Sequence, residues 1–190
     1  MKALAILGSP REKMNTDILL NSVIQGLEQN QVEVEKIELS KANIAHCIAC
    51  NVCSKEGSCF MNDDMYKMYG KFDQADIVVV ASPLYFNSVT SITKTMIDRC
   101  QMFWSSKYVL NKPSIDRYKK RNGMFICTAG GDQKENNFIG ATRVMDLFFK
   151  AINTQYNYNL LVDHTDKLFV GNRVDILERA LKMAGALTNF

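Results

Sequence analysis

The chain has 190 residues, 47% hydrophobic and 23% charged, and its 23 Lys and Arg exceed its 20 Asp and Glu by three. That length predicts one domain, 1–190, or one domain with an appendage, and the small positive balance lacks the excess of a dedicated nucleic-acid binder. The longest apolar runs, such as Ala3 to Leu7 and Ile77 to Ala81, fall far short of the ~20 residues that cross a bilayer, and the run after Lys2 is too short for a secretory signal, so no membrane association is expected and the cytoplasm is the expected compartment.

Ala3 to Leu7 is a continuous apolar run stopped by Gly8-Ser9-Pro10, the pattern of a strand buried on both faces and hence of a parallel sheet. Asn15 to Gln29 carries Leu19, Leu20, Val23, Ile24 and Leu27 on one helical stripe, with Asn15 or Thr16 predicted as N-cap and Asp17 in the first turn. Val32 to Leu39 intersperses apolar with charged residues, as an edge or near-edge strand does. Ser40 to Asn62 has no apolar period and is longer than ordinary βα loops, and long loops tend to carry function.

Asp63 or Asp64 opens a short helix with Met65, Met68, Tyr69 and Phe72 on one face, and Asp76 to Ala81 is a further buried strand stopped by Ser82-Pro83. The spacing of Val89, Ile92, Met96, Ile97, Cys100 and Phe103 predicts one helix from Val89 to about Phe103. Ser105 to Asn122 is polar and aperiodic, which predicts a surface excursion. Gly123 to Thr128 reads as a strand ended by Ala129-Gly130-Gly131, followed by a helix carrying Ala141, Val144, Met145, Phe148, Phe149 and Ile152. A fifth strand, Gln155 to Val162, and a helix with Val174, Leu177, Leu181 and Ala184 complete a doubly wound α/β pattern.

Ligands of open parallel sheets sit beyond the carboxyl ends of the strands, and three segments fall there. In Gly8-Ser9-Pro10-Arg11-Glu12-Lys13-Met14-Asn15-Thr16, backbone N–H groups, the hydroxyls of Ser9 and Thr16, the Asn15 amide and the Arg11 guanidinium suit a phosphate. The segment has neither the three-glycine dinucleotide fingerprint nor a Gly-Lys-Ser/Thr ending, and by itself it fits equally a capped βα turn with a solvated Arg. Pro83-Leu84-Tyr85-Phe86-Asn87-Ser88 offers an aromatic pair on which a flat ring can stack, or aromatics that cap the core. Ala129-Gly130-Gly131 permits close backbone approach, or simply a turn.

Together these loops resemble those of the flavodoxin-like NAD(P)H-dependent FMN reductase family, with Val89 to Arg99 similar to the helix after its second loop; the resemblance covers roughly residues 1–155. It implies a three-layer α/β/α fold with a five-stranded parallel sheet in the order 2-1-3-4-5. It also implies FMN, with Ser9, Arg11, Asn15 and Thr16 at the phosphate, and Pro83, Leu84, Tyr85, Phe86, Asn87, Ser88, Ala129, Gly130 and Gly131 at the ring system. NAD(P)H would be the electron donor, and a quinone, free flavin, oxygen species or protein the acceptor. No acid-base constellation is evident around His46 or His164, and hydride transfer to a flavin requires none.

Of the six cysteines, Cys100 and Cys127 lie in apolar periodic segments and read as small core residues. Cys47, Cys50, Cys53 and Cys59 crowd into the long loop, a spacing similar to that by which the iron-sulfur flavoprotein branch of the family ligates a [4Fe-4S] cluster, with ferredoxin as donor. Four thiolates on one loop suit a cluster better than zinc, which usually takes two separated pairs; reduced packing thiols or redox-active thiols fit the same residues. An FMN-dependent oxidoreductase, an FMN and cluster electron carrier, and a non-catalytic flavin-binding regulatory module are thus the readings in play. Relatives in the resembled family form dimers or tetramers, which implies a homodimer or homotetramer. The ten methionines with Phe103 and Trp104 fit either a subunit face or the core.

Overall fold

Strand β1 (Lys2–Leu7) shows how a sheet buried on both faces arises: Leu4 and Ile6 enter one core, while Ala3, Ala5 and Leu7 enter the other. The computed structural model describes residues 1–132 and 136–189. With β2 (Glu33–Glu38), β3 (Ile77–Pro83), β4 (Asn122–Thr128) and β5 (Gln155–Val162), β1 forms a parallel sheet in the order β2-β1-β3-β4-β5. Helices α1 (Asn15–Gln29) and α7 (Val174–Leu187) cover one face around Leu19, Leu20, Val23, Ala180 and Ala184. The other face packs against α3 (Asp64–Gln74), α4 (Ser91–Arg99), α5 (Gln101–Tyr108) and α6 (Ile139–Ala151), where Phe72, Phe103, Phe148 and Phe149 meet. The single helical turn α2 (Cys53–Glu56) lies inside the cysteine loop and ends at Gly57, whose left-handed φ of 71° is the usual helix terminator.

The strand order is the one expected, and β2 stands at the edge as its mixed composition predicts. Three expectations are corrected. The helix predicted from Val89 to Phe103 is two helices, because the helical backbone is interrupted at Cys100 (φ −72°, ψ 1°), which ends α4 and begins α5. The polar stretch from Ser105 is not all surface. Ser105 and Ser106 are buried in α5, their hydroxyls bonded to Ser54 and Ser114, and Ile115, Arg121 and Asn122 are buried too. The N-cap of α1 is Met14 rather than Asn15 or Thr16. Phe103 and the methionines at 65, 68, 96, 102, 124 and 145 are core, leaving Trp104 partly exposed. Cys100 and Cys127 are buried as expected, and burial pushes both thiols well above their usual range. Among the described residues no helix is long and apolar enough to cross a membrane.

Candidate functional site

The strands β1 and β3 are adjacent although their outgoing connections diverge to opposite sides, so the crevice of a doubly wound sheet opens at their carboxyl ends. Backbone hydrogen bonds stitch the departing loops together there: Gly8 N–H donates to Ala81 O (2.7 Å), Leu84 N–H to Thr128 O (2.8 Å) and Ala129 N–H to Val162 O (2.8 Å). The three predicted segments therefore begin at one level of one sheet edge.

In the first segment Ser9 is buried, its hydroxyl accepting from Arg11 N–H and donating to Arg11 O, both at 3.1 Å. Arg11 itself is exposed, shortly before the start of α1. No side chain among the described residues caps α1 at Met14, so its first-turn N–H groups are left for an anion. Asn15 and Thr16 open α1, and their side chains brace neighbouring loops: Asn15 bonds Thr165 O (3.2 Å) and Val170 N–H (2.9 Å), and Thr16 Oγ1 lies 2.6 Å from Thr128 Oγ1.

The second segment is a tight turn closed by Tyr85 N–H to Ser88 O (2.9 Å) and Ser88 N–H to Tyr85 O (3.0 Å). Phe86 (φ 49°) and Asn87 (φ 58°) are both left-handed, which marks a type I′ turn. Such backbone costs a non-glycine residue roughly 1–2 kcal/mol, yet it is used here to hold Phe86 fully in solvent at 105% exposure. Its base is fixed by Thr90, which caps α4, donates to Gly8 O (2.6 Å) and touches Thr93 Oγ1 (2.8 Å).

The third segment, at Ala129, Gly130 and Gly131, is braced by the loop after β5. Thr165 N–H donates to Ala129 O, Asp166 N–H to Gly130 O (both 3.0 Å), and His164 bridges Asp132 (2.8 Å) and Asp163 (3.0 Å). A Cβ on Gly130 would sit 2.2 Å from Asp166 Oδ2, so that position is filled from below, whereas one on Gly131 would meet nothing within 4 Å among the described residues. Sequence reasoning missed the contributions of residues 163–166 and of Gly140, where a Cβ would strike Asn87 O at 2.2 Å. The signal for the former was a polar Asp163-His164-Thr165-Asp166 run leaving a strand at the same sheet edge. An uncapped helix start with an exposed Arg11 shortly before it, exposed aromatic rings and a glycine pair that permits close backbone approach fit a phosphate joined to a flat heterocycle, as FMN is.

The cysteine loop is a second feature. Its two ends are pinned together: Asp64 N–H donates to Asn43 O (3.1 Å), Asn43 N–H to Asp64 Oδ2 (2.8 Å) and Ala45 N–H to Asp63 Oδ2 (3.0 Å). Left-handed Ala49 (φ 53°) and Asn51 (φ 59°) coil the chain on either side of Cys50. Cys47, Cys50, Cys53 and Cys59 are free thiols and all line one cavity of about 360 Å³, with Met61 and Arg99 among its other walls. Among the described residues no three His, Cys, Asp or Glu side chains stand together as ligands for a single metal ion. A cluster asks for something different, since each cysteine takes a separate iron at a separate corner. Arg99, in the cavity wall, donates through Nη2 to Cys59 Sγ at 3.6 Å. Four thiols and a cationic donor to one of them around one cavity fit an anionic iron-sulfur cluster. His46, beside Cys47, is exposed and does not line the cavity.

Comparison with known proteins agrees with both features. The family model for NADPH-dependent FMN reductases matches residues 1–152. An iron-sulfur flavoprotein of Archaeoglobus fulgidus is 40% identical over 99 residues, which are 52% of this chain and 45% of that protein, so the chain matches only about half of this relative's length. Another, from Methanocaldococcus jannaschii, is 32% identical over 149 residues, 78% of this chain and 71% of that one. The solved FMN-dependent NADH-azoreductase of Bacillus anthracis, in complex with FMN, has the same fold, with a TM-score of 0.72 at 16% identity over 99% of each chain. The chain belongs to the NADPH-dependent FMN reductase family, among its iron-sulfur flavoproteins.

Proposed function

We propose that this chain is an FMN-dependent oxidoreductase that takes electrons from NAD(P)H and passes them to a small-molecule or protein acceptor. The observation that carries the reading is the meeting, at one sheet edge, of the uncapped start of α1, Ser9 and Arg11 with the exposed rings of Tyr85 and Phe86. Bound FMN supplies hydride acceptance, and the protein supplies binding, orientation and the electrostatics of the ring. In this reading Ser9, Arg11 and the backbone of Asn15 and Thr16 hold the phosphate. The turn from Pro83 to Ser88 and the strip from Ala129 to Gly131 hold the ring system. One sheet flanked by both helix layers supports a single flavodoxin-like domain over 1–190.

The test is a visible spectrum of the purified protein, an FMN titration and an assay of NADH and NADPH oxidation. Flavin absorbance with turnover is expected. A colourless protein that does not bind added FMN overturns the proposal, and FMN binding without turnover by NADH, NADPH or reduced ferredoxin would make the chain a non-catalytic flavin module.

A second reading adds a [4Fe-4S] cluster held by Cys47, Cys50, Cys53 and Cys59, and an exchange of electrons between ferredoxin and FMN. It is favoured by one observation, the four free thiols around a single cavity. Anaerobic reconstitution followed by iron and acid-labile sulfide assays tests it, and protein that stays iron-free overturns it. A homodimer or homotetramer is supported by the apolar groove of about 310 Å³ between α4, α5 and α6, lined by Ile97, Trp104, Val144 and Leu147. A gel-filtration mass of one chain for flavin-loaded protein would exclude it.

A further inference from the structure

Arg99 is one of the largest fully buried side chains, at 2% exposure. A buried cation without a partner is severely destabilising, and Asp63 supplies the match. Arg99 Nη1 donates to Asp63 Oδ2 (2.5 Å) and Nη2 to Asp63 Oδ1 (3.2 Å), fork to fork. Asp63 is then saturated, because Ala45 N–H and Met65 N–H occupy its remaining lone pairs. The guanidinium is not saturated. Nη1 reaches Ala45 O (2.8 Å), Nη2 reaches Cys59 Sγ (3.6 Å), and Nε–H is buried without a partner among the described residues. Arg99 lines the cysteine cavity, and the acid that lines it, Asp98, is taken by Lys94 at 2.7 Å.

A guanidinium has only donors to offer. Nη2 already donates to Cys59 Sγ, and the sulfur of a cluster-ligating thiolate is an anionic acceptor for that donor. We infer that Arg99 is a positioning residue that also sets the cluster's reduction potential: it ties both ends of the cysteine loop to α4, donates through Nη2 to Cys59 Sγ and places a buried guanidinium in the wall of the cavity. The inference rests on the cluster reading above. A reduced cluster carries one more negative charge than an oxidised one, so nearby donors and cations raise its potential.

The experiment compares wild type with Arg99→Lys, Arg99→Gln and Asp63→Asn after anaerobic reconstitution with ferrous iron and sulfide. Each is assayed for iron and sulfide, checked for fold by circular dichroism, and titrated redox-potentiometrically with the cluster followed by electron paramagnetic resonance. Arg99→Gln is expected to lower the potential by at least about 59 mV, a tenfold change in the one-electron equilibrium. Arg99→Lys, which keeps the charge but loses the fork, should lower it by less. Asp63→Asn removes the compensating negative charge and should raise it. Opposite signs at Arg99 and Asp63 are what loop damage alone cannot produce. Should Arg99→Gln fail to fold, the Arg99→Lys and Asp63→Asn pair carries the comparison. Equal potentials in loaded variants overturn the inference, as do folded Lys and Asn variants that take up no iron while wild type does, since Arg99 would then only brace the loop. An iron-free wild type is a different failure, that of the cluster reading itself.

Discussion

Gly8 lacks a side chain because of a residue on another element. A Cβ there would stand 1.9 Å from Thr93 Oγ1 and 3.2 Å from Ala81 O, and Thr93 is itself buried and bonded to Thr90. Gly8→Ala should therefore cost roughly 1–3 kcal/mol, the usual range for overpacking, seen as a lower guanidinium midpoint. The double variant Gly8→Ala with Thr93→Ala should lose less than the sum of the singles, because the two share one contact. None of this was visible in the sequence, where Gly8 stood out only as a strand stop. Asn15 and Thr16 show the same limit: their types suit a phosphate, and the bonds their side chains make to Thr165, Val170 and Thr128, more than a hundred positions away, were not visible either.

At the scale of elements, the turn closed by Tyr85 and Ser88 keeps two left-handed residues where glycine would be easier. Phe86→Gly should leave the fold as stable or slightly more so by thermal denaturation, since glycine meets a positive φ without steric cost. The same variant should weaken FMN binding by up to about tenfold, an aromatic contact of about 0.5–1.5 kcal/mol, measured by fluorescence titration. Equal affinity would remove Phe86 from the ring-binding set. The strands were the most legible elements because burial on both faces leaves unbroken apolar runs such as Ile77 to Ala81. The break at Cys100 was not legible. Apolar spacing continues through it, and the interruption shows only in the backbone at Cys100; the buried Ser105 of α5 meets Ser54 and Cys53 of the cysteine loop. The cysteine loop was legible as a unit, but the buried Arg99 that joins it was hidden, since charged residues in a helix ordinarily face water.

For the whole molecule, three carboxyl groups, two of them binding distant segments, govern the response to acid. Burial pushes Asp63 up, but hydrogen bonds from Arg99, Ala45 and Met65 outweigh it and hold it below its ordinary range. Asp76 is held down likewise by Lys119 and Lys2 N–H against its own burial, and Asp116 by the N–H groups of Tyr118 and Lys119. A carboxyl more acidic in the folded chain stabilises it above the unfolded value of about 3.9, and that contribution disappears as pH falls through the lower folded value. Denaturation midpoints should thus fall steeply below about pH 4, and Asp63→Asn should flatten the slope; an unchanged slope would show that the pair with Arg99 is not coupled to folding. Helix α4 spans the same distances. It is latched to Gly8 at Thr90 and seated in the cysteine cavity at Arg99. At about 3.6 residues per turn, one inserted residue would swing Arg99 by about 100° around the helix axis, whereas the loop from His46 to Asn62, held at its ends and through Cys53, Ser54 and Cys59, keeps irregular stretches between those ties where an extra residue can bulge out. Length variation between related chains should accordingly collect in that loop and be absent from α4, which acts as a spacer of fixed length between the two sites.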